Sequence, residues 1–236
     1  MMNDTDTTNE RSWLSQARAQ TVIKNLNKKH INALYTSNRE EALSLILGMV
    51  PDGVTVARGD SITIDQIDIL PALKKRGKNH LVDPFEKDMA GRFLYTPEQA
   101  MDMYREAFGA DVFMTGTNAV TLDGKLVNTD GTGNRVAPMI FGPKKVIIAV
   151  GINKIVSDVD EARKRIGDIC APLDVKRYIL KHSQKEYGTL PCAKTGLCSD
   201  CRHDYRFCCY TVIIEAAAIT ESGRINVVLI GEELGY

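Results

Sequence analysis

The chain has 236 residues, with 30 Lys and Arg balanced by 30 Asp and Glu, four His, six Cys, 44% apolar residues and 6% aromatics. That length suits one large domain or two small ones with a sizeable core, and a formal charge of zero removes the usual electrostatic warrant for binding nucleic acid or an anionic membrane. No stretch approaches the ~20 consecutive apolar residues of a membrane-spanning helix, and the polar, acidic start MMNDTDTTNE lacks the basic end and apolar run of a secretory signal, so a soluble cytoplasmic protein is expected.

In chain order, residues 1–10 read as a disordered tip. Ala19, Val22, Ile23 and Leu26 fall at i, i+3, i+4 and i+7, the apolar stripe of a helix that closes on the basic run NKKH. After the short apolar run INALYT, Ser37 and Glu40 have capping-box spacing ahead of a second helix, EALSLILGMV, which Pro51-Asp52-Gly53 ends. VTVAR (54–58) is a β-branched strand running into Gly59-Asp60-Ser61. ITIDQIDILPALKKRG reads as a helix that Pro71 kinks or begins, and HLVDPF as a brief strand or loop. At Thr96-Pro97-Glu98-Gln99 a capping hydroxyl, a Pro at the first helical position and a Gln at the third start a helix over 97–108.

ADVFMTG (110–116) is a buried strand, and AVTLDGKLVN (119–128) a β-hairpin turning at Asp123-Gly124. KKVIIAVG (144–151), the most apolar strand, precedes a helix over SDVDEARKRIGDIC with Ser157 and Asp160 at its start. YTVIIEA (210–216) and RINVVLIG (224–231) add two strands. Strands alternating with helices predict an α/β fold, a mostly parallel sheet flanked by helices, in a single domain. The hairpin is an insertion that makes one edge mixed, and a cysteine-rich insertion spans 188–209.

Three places combine the residue types that chemistry needs. At Gly59-Asp60-Ser61 a strand enters a turn and a helix, where open α/β sheets bind ligands beyond the strand ends. Gly59 lets a ligand approach the backbone and the Ser61 hydroxyl can donate to an anion, although Asp and Ser are also ordinary helix caps. The second place joins Gly116-Thr117-Asn118 to the run from Asn128 to Arg135. Backbone N–H groups around Asn118, Gly131, Thr132, Gly133 and Asn134 can form a concave anion nest. Arg135 can pair bidentately with a carboxylate or phosphate, and Asp130 is the candidate general base. Two tight turns would use some of the same residues, but the donors outnumber what turns need. Lys144, just after Phe141-Gly142-Pro143, is a further candidate to hold the anion.

The third place is the cysteine segment. In a reducing compartment, cysteines are thiols or metal ligands rather than disulfides, and five of the six fall between 192 and 209. Cys192, Cys198, Cys201 and Cys208 have the spacing C-x5-C-x2-C-x6-C, with Cys209 as an alternative fourth ligand and His203 as a possible replacement. Two thiolates separated by two residues reach one metal from a single turn, and two more complete a tetrahedral set. Zinc and an iron–sulfur cluster both accept four thiolates. Unliganded thiols and a redox-active Cys198/Cys201 pair stay open. Cys170, alone near a helix end, reads as a packed small hydrophobe.

The stretch FMTGTNAVTLDGKLVNTDGTGNRVAPMIFGPKKVIIAVGINKIV (113–156), the Gly59-Asp60-Ser61 turn and the closing VVLIGEELGY resemble the LUD (lactate utilization) domain family, over nearly everything from about residue 11 to the end. That family is similar in fold to the ribose-5-phosphate isomerase, glucosamine-phosphate deaminase and CoA-transferase superfamily. The resemblance implies a Rossmann-like α/β domain over 11–236 and a role in bacterial oxidation of lactate to pyruvate, beside iron–sulfur proteins. The family's Gly-Ser turn falls at 59–61, with Asp60 where a second Gly is common, a carboxylate that would repel an anion. Its Asn- and Gly-rich loop falls at Asn118 and Asp130 through Arg135, while the cysteine segment belongs to only some members. The expectation is a lactate-utilization component that binds a small anionic ligand and holds a cysteine-ligated metal. An isomerase- or transferase-like enzyme on a phosphorylated or CoA-linked molecule, and a non-catalytic assembly or regulatory subunit, are the alternatives; a homo-oligomer stays open.

Overall fold

The structure, a computed structural model, describes residues 5–182 and 184–236. Its strands are β1 (Asn32–Thr36), β2 (Thr55–Arg58), β3 (His80–Val82), β4 (Val112–Gly116), β5 (Ala119–Thr121), β6 (Leu126–Asp130), β7 (Lys145–Gly151), β8 (Ile155–Val156), β9 (Tyr210–Ile214) and β10 (Ile225–Ile230). The helices are α1 (Thr8–Lys28), α2 (Arg39–Met49), α3 (Ile62–Gln66), α4 (Ile69–Arg76), α5 (Pro97–Glu106), α6 (Val136–Ile140), α7 (Val159–Arg165), α8 (Ala171–Lys181) and α9 (Pro191–Thr195). Residues 1–4 of the expected disordered tip lie outside the described residues, and Thr8 to Glu10 of that tip already belong to α1.

Six strands form an all-parallel sheet of order β1-β10-β7-β4-β2-β3. Period-2 alternation divides its side chains between two cores. Val146, Ile148 and Val150 of β7 face the same way as Phe113, Ala57, Val227 and Leu229, and pack with the Ala19, Val22 and Leu26 stripe of α1. The intervening Ile147 and Ala149 join Val112, Met114, Val56, Val228 and Ile230 beneath Ala42, Ile46, Ile64, Ile69 and Leu73 of α2, α3 and α4. Each fully buried branched side chain is worth roughly 1.5–3 kcal/mol relative to exposure, so a one-residue slip of β7 would forfeit both cores.

The hairpin forms as expected, with Ala119 opposite Val127 and Gly124 at φ +79° in its turn. It does not extend an edge of the parallel sheet. It is the middle of a second, four-stranded sheet of order β8-β5-β6-β9. Val120 and Leu126 on one face add to the α1 core, whereas Ala119 and Val127 on the other pack against Ala162 and Ile166. Both faces are therefore covered, which removes the need for an exposed mixed edge.

Local chemistry moves several boundaries. The helix read over 62–77 divides into α3 and α4 because Asp68 takes a left-handed φ of +61°, and Pro71 falls in the first turn of α4, where its missing N–H costs nothing. The cap of α2 is Asn38 rather than Ser37: Asn38 Oδ1 accepts from the Glu41 N–H at 2.8 Å, and Glu41 Oε2 accepts from the Ser37 N–H at 2.8 Å. Asp158 caps α7, accepting from the Glu161 N–H at 2.9 Å. The chain then continues past Cys170 through a π-helical turn (Ile166–Cys170) into α8, since Pro172 sits in that helix's first turn.

At the end of β7, Gly151 lets the C-terminal segment cross the sheet edge. A Cβ there would lie 2.5 Å from both Asn153 Oδ1 and the Leu234 backbone nitrogen, and 2.9 Å from the Glu232 carbonyl oxygen. Gly151→Ala is expected to destabilise the protein by about 1–3 kcal/mol, seen as a lower urea midpoint at unchanged m-value.

Candidate functional site

Four strand ends point to one place. β2 runs into Asp60-Ser61, β4 into Thr117-Asn118, β7 into the turn that carries Lys154, and β10 into the segment that ends at Tyr236. Between them lies a cavity of about 430 Å³, at the carboxyl edge of the parallel sheet where this class of fold leaves a crevice. Thr129 and Asp130 of β6, the π-helical turn, α8 and residues 204–208 complete its wall. The 59–61 turn and the 118/128–135 loops, separate in the sequence, thus border one cavity, and the cysteine segment touches it through Cys208. Two glycines allow the approach: a Cβ on Gly116 would sit 2.6 Å from Ser61 Oγ, and one on Gly59 2.8 Å from Arg135 Cγ.

Arg135 holds the loops together. Its Nη1 donates to Asn128 Oδ1 at 2.6 Å and to the Gly116 carbonyl at 3.4 Å; its Nη2 donates to the Thr129 carbonyl at 2.8 Å and to Asn118 Oδ1 at 3.1 Å. Asn118 Oδ1 also accepts from the Thr129 N–H at 2.8 Å, and Asn128 Oδ1 from the Asn118 N–H at 3.2 Å. Arg165 braces the same loop from α7, donating to the Asn118 carbonyl at 2.8 Å, the Asn153 carbonyl at 3.2 Å and Cys170 Sγ at 2.9 Å. The Asp130 carboxylate accepts from the N–H groups of Gly131 (2.7 Å), Arg135 (3.0 Å) and Val136 (3.1 Å), which fastens the start of α6. Thr132 Oγ1 donates to Asn134 Oδ1 at 2.7 Å, and Gly133, at φ +88°, shapes the turn without lining the cavity. Lys144 is not brought to the site. It precedes β7 at the opposite end of the sheet and pairs with Asp111 at 2.8 Å in an exposed position.

The sequence reading passed over Lys154. Its side chain is 4% exposed, lines the cavity, and donates from Nζ to Thr63 Oγ1 at 2.9 Å. The signal was its place, a lysine three residues beyond the most apolar strand of a parallel sheet. Among the described residues, Lys154, Arg135 and Arg165 have no carboxylate at ion-pair distance. Burial, helped by the two guanidinium groups and opposed by the Cys170 sulfur, pushes the Lys154 amine down to about 7.

The rim is different, because Arg177 there pairs with both Asp60 and Asp174. Asp60 accepts from both Nη1 (3.1 Å) and Nη2 of Arg177 and from the Tyr178 hydroxyl at 3.2 Å. Burial would raise its pKa, but Arg177 outweighs burial and holds the carboxyl below the ordinary carboxylate range. The repulsion expected from Asp60 is thereby largely cancelled. Asp174 accepts from Arg177 at 2.9 Å and from the Tyr236 hydroxyl at 2.7 Å, so the last residue of the chain closes part of the wall.

The cysteine segment begins with Cys192 on α9 and ends where the Cys209 N–H donates to the Asp130 carbonyl at 3.0 Å, ahead of β9. Phe207 anchors it edge-on against Tyr187 and Tyr178, with centroids 4.5 and 5.1 Å away. Arg206 ties its backbone, donating to the Cys201 carbonyl at 2.7 Å and the Cys208 carbonyl at 2.6 Å. All six cysteines are free. Burial and the nearby thiols of Cys198, Cys192 and Cys201 push the Cys208 thiol up to about 12, with Arg206 opposing. His203 accepts through Nδ1 from the Tyr205 N–H at 3.2 Å. Among the described residues no three His, Cys, Asp or Glu side chains form a group that could hold a metal ion. No helix among them is long and apolar enough to cross a membrane. Cys170, read as a packed thiol, is buried against Ala162 and Ile166 and also borders the cavity.

The buried amine has a measurable consequence. Since its folded-state pKa of about 7 lies below the ordinary 10.5, the unfolded chain binds a proton between those limits that the folded chain rejects. Stability from this group is therefore complete above pH 10.5 and is lost as pH falls through 7. Urea unfolding at pH 7 and pH 9 is expected to show a gain on the order of a few kcal/mol with rising pH in the unsubstituted protein. Lys154→Met should lack that increment.

A family model described as the LUD domain matches residues 19–230. Among solved structures, a DUF162 family protein from Deinococcus radiodurans is similar over 93% of this chain and 97% of that one, at 10% identity and a TM-score of 0.48. Translation initiation factor eIF-2B from Pyrococcus horikoshii OT3 is similar over 50% of this chain and 46% of that one, at 16% identity and a TM-score of 0.34. No curated protein matches the sequence. With the family model spanning all but the two ends, the chain belongs to the LUD domain family.

Proposed function

We propose that the chain is a component of bacterial lactate utilization, the oxidation of lactate to pyruvate, and that its cavity binds a small organic carboxylate. Membership of the LUD family supports the process. The observation that carries the ligand class is the base of the cavity, where Lys154 and Arg135, with Arg165 behind them, have no carboxylate at ion-pair distance among the described residues, while Arg177 holds both Asp60 and Asp174 at the rim and three backbone N–H groups take up the Asp130 carboxylate. Buried cations lacking a counter-ion are costly, and an anionic ligand offsets that cost. A volume of about 430 Å³ lies in the range of small-molecule sites. Arg135 and Arg165 supply charge through space, since their donors are largely committed to backbone and amide oxygens. Direct hydrogen bonds would come from Lys154, Ser61, Asn134 and Tyr104. Burial, with Asp60 and Asp130 behind it, pushes the Tyr104 hydroxyl up to about 12, so it stays a donor at neutral pH.

The proposal includes a metal centre, zinc or an iron–sulfur cluster, on Cys192, Cys198, Cys201 and Cys208. Its support is the four-thiol spacing within one short segment; among the described residues the thiols do not yet converge as a metal-holding group, so binding would have to draw them together. Cys208 also borders the cavity, so such a centre would neighbour the ligand, with iron–sulfur proteins of lactate oxidation as partners for a cluster. The isomerase- or transferase-like alternative, with Asp130 as base, draws on the same cavity. It has less support, because three backbone N–H groups already occupy that carboxylate.

Two measurements test these readings. Thermal unfolding with lactate, pyruvate and inorganic phosphate is expected to show stabilisation by the organic acids, about 2.7 kcal/mol at a hundredfold excess over Kd. Lys154→Met should weaken it; indifference to every small carboxylate would remove the ligand assignment. Anaerobic purification followed by metal analysis and visible absorption is expected to find metal that Cys198→Ser and Cys201→Ser lose. A metal-free, colourless and fully folded protein would sink the metal centre.

A further inference from the structure

Lys154 is the group in this cavity whose chemistry the binding of an anion does not exhaust. Its amine has a neutral hydroxyl as hydrogen-bond partner, Thr63 Oγ1 at 2.9 Å. That hydroxyl donates its own hydrogen to the Leu234 carbonyl at 3.4 Å, so toward Lys154 it acts as an acceptor. An uncharged amine in this arrangement gives one hydrogen to Thr63 and keeps its lone pair free. The C-terminal segment covers the amine from the other side: a Cβ on Gly235 would sit 2.8 Å from Nζ. Desolvation and neighbouring cations are the two ways a protein keeps a lysine neutral and nucleophilic, and both operate here, with Arg165 and Arg135 as the cations.

A lysine nucleophile takes a carbonyl, and a positively charged floor takes a carboxylate. The ligand class that carries both on adjacent carbons is the 2-oxo acid. We propose that Lys154 forms a reversible Schiff base with the carbonyl carbon of a bound 2-oxo acid, and so distinguishes it from the corresponding 2-hydroxy acid. The Nζ lone pair adds to the carbonyl carbon, and a proton passes from nitrogen to the carbonyl oxygen to give the carbinolamine. Loss of water, which takes that oxygen and the second amine hydrogen, leaves the C=N bond. Hydrolysis reverses the sequence, and neither an oxidant nor a reductant is consumed. A 2-hydroxy acid has no carbonyl and is held by charge alone. This inference rests on the anion-binding reading above and adds covalent capture to it.

The test is reductive trapping. The full chain is incubated with pyruvate and sodium cyanoborohydride, in parallel with lactate, and digested for peptide mass spectrometry. The expected result is a gain of the mass of pyruvate less one oxygen atom on the peptide containing Lys154. It should exceed the gain at any other lysine by at least about tenfold, because an ordinary lysine at neutral pH is far less often uncharged. Lactate should leave no adduct. Lys154→Arg, which keeps the charge but cannot form the imine, should lose the adduct and, with it, the excess of pyruvate-induced over lactate-induced thermal stabilisation; the trapping of the unsubstituted protein stands by itself if that variant does not fold. Stabilisation by pyruvate with no adduct at Lys154, or with adducts spread over surface lysines, overturns the Schiff base and leaves anion binding intact. Absence of both stabilisation and adduct overturns the anion-binding reading, and this inference with it.

Discussion

The guanidinium of Arg135 is the interaction on which the rest of the site depends. It is nearly buried and reaches the Gly116 carbonyl of the parallel sheet, the Asn128 and Thr129 oxygens of the second sheet, and the Asn118 side chain between them. A planar fork of donors can bridge four oxygens in this way; a lysine ammonium at the same place could not. The charge that Arg135 brings lies in the cavity wall with no carboxylate at ion-pair distance among the described residues. The two sheets, the Asn-rich loops and the electrostatic floor thus share one fixed cation.

That charge shapes its neighbours. Arg165, fixed by the Asn118 and Asn153 carbonyls, adds a second. Between them and the core, Lys154 is the one cation of the three that can relieve the repulsion by losing its proton, and burial favours the same outcome. At the rim the opposite arrangement holds, with Arg177 shared between Asp60 and Asp174. With Arg177 compensating both rim carboxylates, the cations left without a carboxylate partner in the cavity wall, among the described residues, are Arg135 and Lys154. The π-helical turn contributes to that depth by placing Ile166 and Cys170 in the wall, in keeping with the use of such turns at functional sites.

Much of this was legible locally. The capping box at Thr96 and Gln99 forms both its bonds, at 3.3 and 2.9 Å, because every partner lies within four residues. The apolar runs at 54–58, 110–116, 144–151 and 224–231 hold strands β2, β4, β7 and β10, since continuous hydrophobicity has no other stable home in an α/β chain. The crowding of Asn, Thr and Gly at 118 and 128–135 marked a place with more donors than turns require. Lys144 was misjudged because nearness in sequence to that loop says nothing about which end of β7 it occupies. α8 was not anticipated, since the pattern SDVDEARKRIGDIC reads as a helix only as far as Cys170, whereas Pro172 is accommodated in the first turn of the helix that follows.

By itself, the sequence determined the parallel sheet, its covering helices, the hairpin and the loops at the ends of β2 and β4, because these follow from periodicity and turn chemistry acting over a few residues. Only the tertiary structure decided that the hairpin belongs to a second sheet, through pairing of β6 with β9 eighty or more residues away. It also decided that Arg177 neutralises Asp60 across 117 positions, and that Lys154 meets Thr63 across 91. The reason is physical. Hydrogen bonds and burial act through space, and a lysine's charge, or its absence, is set by the groups that folding brings around it.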